Sequence, residues 1–212
     1  MKITLLMDNP KSWFYKYTKD LKNILEERGH EVFLVHTIDE VQNGELAFFL
    51  SCEKIIKKEI RDLSKLSLVV HSSDLPNGKG WSPMTWSILE GKSEITNTLF
   101  EAVDAVDAGN IYMQNQIKFE GHELLSELHQ KQGEKINELI LDFVDKYPSV
   151  DGKPQSGEES FYKKRSDEDS ELDTEKTLAE QFNLLRVVDN EKYPAFFEYK
   201  GKKYILKIYK EE

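Results

Sequence analysis

Hydrophobic positions in the first part of the chain change period in a way that predicts alternating strands and helices. Lys2–Met7 is a short apolar run, which predicts a buried strand. Residues 11–28 carry large apolar side chains at helical spacing, and Gly29 is placed to end that helix. His30–His36 then alternates between apolar and polar residues as a strand does. This β-α-β opening predicts a parallel sheet, because the crossover returns the chain in the same direction.

The same pattern continues through the middle of the chain. Four further apolar runs predict strands: Leu46–Cys52, Leu66–His71, Ile95–Val103 and Ile111–Phe119. Helices are predicted at 54–65, at 83–90 with Ser82 as its cap and Gly91 as its stop, and at 123–146. The sequence therefore predicts an α/β fold, in which ligands gather at the carboxyl ends of the strands.

The composition changes after residue 148. Residues 148–160 contain two prolines, two glycines and one aliphatic residue, Val150, and this composition predicts a linker. A helix at 174–187 and a hairpin turning at Lys200–Gly201 are predicted beyond it. We therefore expect a catalytic core at 1–150, followed at 151–212 by a linker and a small C-terminal α+β appendage.

Charge and composition restrict the kinds of partner. The chain has 39 acidic and 29 basic residues, and its formal charge of −10 disfavours a nucleic-acid partner. No apolar stretch approaches the roughly 18 residues of a membrane helix, and the apolar run at the N-terminus is too short for a signal peptide. One cysteine excludes an internal disulfide. We expect a cytoplasmic protein without membrane contact, and the edge of the hairpin at 195–209 makes a homodimer one expected assembly.

Residues 69–86 are the densest source of candidate chemistry. His71 ends an apolar strand, and a neutral imidazole can accept a proton or hydrogen-bond to developing charge. Asp104 and Asp107 follow in EAVDAVDAGN, and either carboxylate could orient an imidazolium. Taken singly, His71 is more readily explained as a histidine satisfied by a loop, and the two aspartates are more readily explained as part of a solvated acidic loop. The other histidines lack a third nearby ligand, so no metal site is expected.

Taken together, these segments resemble the folate-dependent formyltransferases. The fingerprint of that family is Asn-x-His-x-Ser-x-Leu-Pro, a glycine-containing turn and a downstream Asp-x-Gly. The matching positions here are His71, Ser73, Leu75 and Pro76, followed by GKGWSP and by Asp107-Ala108-Gly109. The His-to-Asp separation in the family selects Asp107 over Asp104. The segments FLSCEKII (49–56) and KKRSDEDSELD (163–173) are also similar to segments of the family.

The resemblance implies a Rossmann-like formyltransferase core and 10-formyltetrahydrofolate as the formyl donor. His71 and Asp107 would be catalytic. Residues implied to bind the folate are Leu50, Ser51, Cys52, Glu53, Asp104 and Val106. Residues implied to bind the acceptor are Ser73, Lys79, Gly80, Trp81 and Arg165, and no metal is implied.

One position departs from the family pattern. The family's asparagine, which helps to hold the formyl oxygen, would stand two residues before His71, where this chain has Val69. Loss of such a donor can cost about 10²–10³ in rate. We expect a backbone group or the 72–80 loop to substitute for it.

The choice of acceptor also follows from the resemblance. The chain is most similar to the small enzymes that formylate amino sugars on a nucleotide carrier, including those of pseudaminic-acid-type and surface-polysaccharide pathways. Aromatic and basic residues would then stack the base and hold the diphosphate. Two alternatives stay open: formylation of an aminoacyl group on a carrier protein, and a folate or nucleotide-sugar binding module whose catalysis is impaired.

Overall fold

The computed structural model describes residues 1–211. In chain order its elements are β1 (Lys2–Leu6), α1 (Tyr15–Glu27), β2 (Glu31–Val35), β3 (Gly44–Phe49), α2 (Lys58–Arg61), β4 (Ser64–His71), β5 (Lys79–Gly80), α3 (Pro83–Leu89), β6 (Glu94–Glu101), β7 (Ile111–Lys118), α4 (Leu125–Lys146), β8 (Phe161–Tyr162), α5 (Phe182–Val187), β9 (Ala195–Tyr199) and β10 (Lys202–Leu206). Two short 3-10 helices lie at Ile38–Glu40 and Asp167–Ser170.

A six-stranded sheet with the order β2-β1-β3-β4-β6-β7 forms the centre. The pairs β1–β2, β1–β3 and β3–β4 are parallel, whereas β6 runs antiparallel to both of its neighbours. The strand order reverses between β1 and β3, which is where ligands gather in open α/β sheets. The predicted α/β class with a mainly parallel sheet is confirmed.

The two faces of the sheet are covered unequally. On one face, Leu21 of α1 and Phe143 of α4 belong to a large apolar cluster with alternate residues of β1, β3 and β4. The opposite face carries a smaller cluster, to which Phe49 and Val69 belong, and it is covered by loops and by the single turn of α2. Since side chains two apart in a strand share a face, His71 lies on this thinly covered side.

Two predicted helices are shorter than expected. The segment predicted as a helix at 54–65 is helical only in α2, because the Asp8 carboxylate accepts hydrogen bonds from the backbone N–H groups of Glu53 and Lys54 and holds them in a loop. The helix predicted at 174–187 reduces to α5, because the amide of Gln181 turns back to the Asp173 carbonyl. Side-chain bonds of this kind compete with helical ones.

Helix α3 and the hairpin begin and turn where the sequence predicts, but the cap of α3 differs. Pro83 begins α3, and Gly91, at φ +86°, follows its end as predicted. The predicted cap is wrong, because Ser82 has a left-handed backbone (φ 48°, ψ 49°) and its hydroxyl makes no capping hydrogen bond. The hairpin β9–β10 turns at Lys200 and Gly201 as predicted.

The residues that follow α4 lie against the core. Lys153 and Ile111 form an antiparallel bridge through N···O distances of 2.7 and 2.8 Å. β8 then pairs in parallel with β5, with Lys79 opposite Phe161 and Gly80 opposite Tyr162. We call residues 153–162 the clasp segment. They contact the core, although most of them lie in the stretch whose composition predicted a linker.

The C-terminal residues are tied to the core by a buried ion pair. Arg186 of α5 and Glu123 are 3% and 1% exposed, and their charged groups lie 2.7 Å apart. Among residues 1–211, no helix has the length and apolar character needed to span a bilayer. Within the same residues, no three His, Cys, Asp or Glu side chains are grouped as a metal site would require.

Candidate active site

His71 is the last residue of β4, so its imidazole lies at the carboxyl edge of the sheet. Nε2 lies 2.9 Å from the carbonyl oxygen of Gly78, and the side chain is only 10% exposed. A carbonyl oxygen only accepts hydrogen bonds, so this contact assigns the hydrogen to Nε2. Nδ1 then keeps the lone pair with which the ring can accept a proton.

Asp107 is held beside His71 by the backbone of Gly80, two residues after the Gly78 carbonyl that His71 contacts. Its Oδ2 accepts a 2.8 Å hydrogen bond from the backbone N–H of Gly80 and lies 3.9 Å from Nε2 of His71. The latter distance is too long for a hydrogen bond but close enough for strong electrostatic interaction. Asp107 has φ 50°, a left-handed conformation that is uncommon outside glycine but that aspartate tolerates better than most residues.

Residues 77–81, here called the glycine loop, lie between the side chains of His71 and Asp107, and the backbone of this loop hydrogen-bonds to both. Gly78 and Gly80 have φ values of +74° and +94°. A Cβ added at Gly80 would lie 2.5 Å from the Tyr162 carbonyl oxygen, so that position needs glycine for space as well as for backbone conformation. The backbone N–H of Gly78 donates to the Ser160 hydroxyl over 2.8 Å.

The residues implied to bind folate lie in two loops next to the thinly covered face. Leu50 is buried, whereas Ser51 is exposed at φ 54° with its hydroxyl 3.1 Å from that of Ser12. Burial raises the pKa of Cys52 to about 12, so this residue is a neutral thiol. The backbone N–H of Glu53 is bound by Asp8.

The second of these loops contains Asp104 and Val106. The Asp104 carboxylate is largely exposed and forms a 2.6 Å ion pair with the buried guanidinium of Arg61. Val106 is 51% exposed. The loop starts beside β4, because the N–H of Ala102 donates to the Ser67 carbonyl. Cys52 and Ala102, one from each of these loops, pack against the cluster on the face that bears His71, whereas Leu50 belongs to the cluster on the other face.

The five residues implied to bind the acceptor have different environments. Ser73 is 5% exposed, and its hydroxyl has no hydrogen-bond partner within residues 1–211. Lys79 is also buried and forms an ion pair with Glu159. Trp81 is 43% exposed, and the ammonium of Lys164 lies 4.7 Å from the centre of its ring.

Gly80 belongs to the glycine loop itself, and the Arg165 guanidinium is directed to groups of its own segment and to the Val187 carbonyl of α5. The Arg165 guanidinium donates to the Asp169 carbonyl and the Ser170 hydroxyl over 3.1 and 3.3 Å. Its role in ligand binding stays a prediction, as do the roles of the other implied residues.

Three residues of the site come from the clasp segment, and the sequence predicts neither the roles of Gln155 and Ser160 nor the backbone contact of Tyr162. Gln155 bonds to the carbonyl groups of Asp107 and Gly109, Ser160 to the glycine loop, and the Tyr162 carbonyl to Trp81. No residue type or spacing in this segment signals such contacts. Val69, by contrast, packs in an apolar cluster with Phe49 and supplies no hydrogen-bond donor from its side chain.

A cavity of about 780 Å³ lies elsewhere, between the start of α4, α5 and the last described residues. Trp13 and His129 stack in its wall with ring centres 4.0 Å apart. Burial lowers the pKa of His129 to about 4, so the imidazole is neutral. The paired carboxylate and imidazole at the strand edge favour the surroundings of His71 over this cavity as the candidate active site, and the catalytic role of His71 stays a prediction.

Comparison with known proteins gives one family match. A sequence model of the family described as formyl transferase matches residues 15–144, more than half of the chain and including both His71 and Asp107. A methionyl-tRNA formyltransferase of Sulfurihydrogenibium sp. is 27% identical over 159 residues, which are 73% of this chain and 51% of that protein. The chain thus spans about half the length of the curated relatives it matches.

Solved structures are similar over nearly the whole chain. HypX from Aquifex aeolicus in complex with tetrahydrofolic acid has a TM-score of 0.82 at 20% identity, covering 98% of this chain and 37% of HypX. A sugar N-formyltransferase from Shewanella sp. has a TM-score of 0.69 at 15% identity, covering 100% and 98% of the two chains. At these identities the similarity shows a shared fold alone.

Proposed function

The chain belongs to the formyl transferase family, and we propose that it transfers a formyl group from 10-formyltetrahydrofolate to the amine of a nucleotide-linked amino sugar. The observation that carries the transfer chemistry is the placement of His71 and Asp107 on either side of the glycine loop, at the carboxyl edge of the sheet. The folate complex of HypX, a relative in fold, supports a folate as donor.

The reaction begins with attack of the neutral amine on the formyl carbon. A new C–N bond forms, the C–N10 bond of the folate breaks, and the amine proton must leave the attacking nitrogen. Nδ1 of His71 is the atom that can accept this proton, since Nε2 already carries a hydrogen. The Asp107 carboxylate, 3.9 Å away, stabilises the resulting imidazolium, and the proton finally goes to the departing N10.

The surface beside the glycine loop supports a nucleotide-linked acceptor. Trp81 follows Gly80 directly and offers an exposed indole for stacking with a base. Lys164, 4.7 Å from the ring centre, supplies positive charge for a phosphate. Phe161, 63% exposed, adds a second aromatic surface to the same strand pair. The formal charge of −10 disfavours a tRNA acceptor.

A second candidate function rests on Val69. Without a side-chain donor at this position, the protein could bind the folate and the nucleotide sugar while transferring the formyl group slowly or not at all. Aminoacyl groups on a carrier protein are the alternative acceptor, and they would not require the exposed indole of Trp81.

The test is formyl transfer from 10-formyltetrahydrofolate to a panel of nucleotide-linked amino sugars, glycinamide ribonucleotide, aminoacyl carrier protein and methionyl-tRNA. Folate binding is measured on the same preparation by calorimetry. We expect turnover with an amino-sugar nucleotide. Binding of folate without transfer to any acceptor would favour the impaired module, and transfer only to the carrier or to tRNA would overturn the proposed acceptor.

A further inference from the structure

Gln155 occupies an unusual position for a residue in a stretch of linker-like composition. Its side-chain Nε2 donates to the backbone carbonyl of Asp107 over 2.9 Å and to that of Gly109 over 3.0 Å. Both partners are carbonyls, which only accept, so the orientation of the amide is fixed by the contacts. One side chain thus holds both ends of the turn that carries the catalytic carboxylate.

The turn at Asp107 is constrained from the opposite side as well. A Cβ added at Gly109 would lie 1.9 Å from the Glu101 carbonyl oxygen, so this glycine lies directly against β6. Asp107 itself adopts φ 50°, which is uncommon outside glycine although aspartate tolerates it better than most residues, and the contacts around the turn help to maintain it. The sheet supplies one side of that constraint, and Gln155 supplies the other.

We propose that Gln155 is a positioning residue, which acts through Asp107 to hold its carboxylate against the Gly80 N–H and beside His71. The inference rests on the proposed formyl transfer for its kinetic consequences. It also extends the site beyond residues 15–144, the region that the family model matches. Gln155 lies outside that region, whereas Asp107, which it contacts, lies inside it.

The variant that tests this role is Gln155→Met, which keeps the length of the side chain and removes both N–H donors. Gln181→Met is the matched control, because the Gln181 amide also donates to backbone carbonyls, those of Asp173 and Lys176, in a turn that makes no contact with the site. We expect Gln155→Met to lower kcat by about 10- to 100-fold, the scale on which misplaced catalytic groups lose rate. KM for the folate should stay the same, and Gln181→Met should leave both parameters unchanged.

A double-mutant cycle separates positioning from a general loss of structure. If Gln155 acts through Asp107, Gln155→Met in an Asp107→Asn background should change kcat less than about twofold, because the carboxylate it positions is already gone. Equal losses of kcat in both backgrounds, or no loss in the wild-type background, would overturn the inference.

A measurement independent of turnover separates this inference from the proposed function. The Gly80 amide donates to Asp107, so its hydrogen exchange reports whether the carboxylate stays in place. We expect exchange at Gly80 to be at least about tenfold faster in Gln155→Met than in Gln181→Met. Unchanged exchange would overturn the role of Gln155, even in a protein that proves inactive with every acceptor.

Discussion

Nε2 of His71 and Oδ2 of Asp107 are 3.9 Å apart, and each is hydrogen-bonded to the backbone of the same glycine loop instead of to the other. The imidazole donates to the carbonyl of Gly78, and the carboxylate accepts from the N–H of Gly80. The loop therefore sets the distance between the two groups. Catalysis should depend on the conformation of this loop as strongly as on the two side chains.

Replacement of the imidazole tests the catalytic assignment. His71→Ala should lower kcat for formyl transfer by about 10²–10⁴, because the amine proton loses its acceptor. The measurement is steady-state transfer from 10-formyltetrahydrofolate, with the dissociation constant for folate determined in parallel. His122→Ala is the control, since His122 is exposed and contacts Glu120 away from the site. Equal kcat in His71→Ala and the wild type would remove His71 from the mechanism.

Gly80→Ala tests the glycine loop. The added Cβ would approach the Tyr162 carbonyl to 2.5 Å at φ +94°, so the loop must move and release Asp107. We expect formyl transfer to fall by about 10² or more, the scale of loss for displaced catalytic groups. Kinetics and the midpoint of urea unfolding would be measured together.

Gly91→Ala is the matched control for this substitution. Gly91 also has a positive φ, +86°, but its Cβ would meet nothing within 4 Å. We expect a loss of roughly 1–2 kcal/mol in the free energy of unfolding from the left-handed backbone alone, with formyl transfer retained. Similar activity in the two variants would show that the backbone at Gly80 does not set the site.

The exposed indole of Trp81 provides a test of the acceptor. Trp81→Ala should raise KM for the amino-sugar nucleotide by about tenfold, since stacking a base on an aromatic ring contributes roughly 1–3 kcal/mol. The kcat value and KM for folate should change little. Tyr199→Ala is the control, because Tyr199 is 54% exposed and has Lys200 5.4 Å from its ring centre in the distant hairpin. An unchanged acceptor KM would direct attention to the carrier-protein alternative.

The buried carboxylate of Glu123, which lies just before α4 and pairs with Arg186 of α5, predicts a pH dependence of stability. Burial alone would raise the pKa of Glu123, but the Lys131 ammonium and the backbone N–H groups of Glu120 and Gly121 outweigh it and lower the pKa to about 2. A lowered folded-state pKa stabilises the protein above its unfolded value of 4.5, and this contribution is lost as the pH falls towards 2. The contribution is roughly 3 kcal/mol.

Glu123→Gln should remove this part of the pH dependence and lower the free energy of unfolding at pH 7 by roughly 3–5 kcal/mol, because Arg186 stays buried without its partner. Urea unfolding between pH 3 and 7 measures both effects. Glu94→Gln, which alters a surface pair with Lys118, should change the free energy by less than about 1 kcal/mol. Parallel pH curves for Glu123→Gln and the wild type would contradict the prediction.

The sheet could be predicted from the sequence because each strand is a separate apolar run with a clear period. The extent of helix 54–65 could not be predicted, since the backbone N–H of Lys54, its first residue, donates to Asp8, a contact across 46 positions that no local pattern contains. The same holds for Gln155, whose partners lie 46 and 48 positions away. The polar composition of residues 148–160 predicted a linker. The same polar side chains, however, can hydrogen-bond to the backbone of a turn, as Gln155 does at Asp107.

The pairing of β5 with β8 has a consequence for the order of folding. Gly78 and Ser160, which hydrogen-bond to each other, are 82 residues apart in the chain. During synthesis, β1 to β4 can pair before residue 160 has left the ribosome, but the glycine loop cannot yet be held. Catalytic competence should therefore appear as a late event, after the sheet is complete, and a nascent chain that has formed its core would still be inactive.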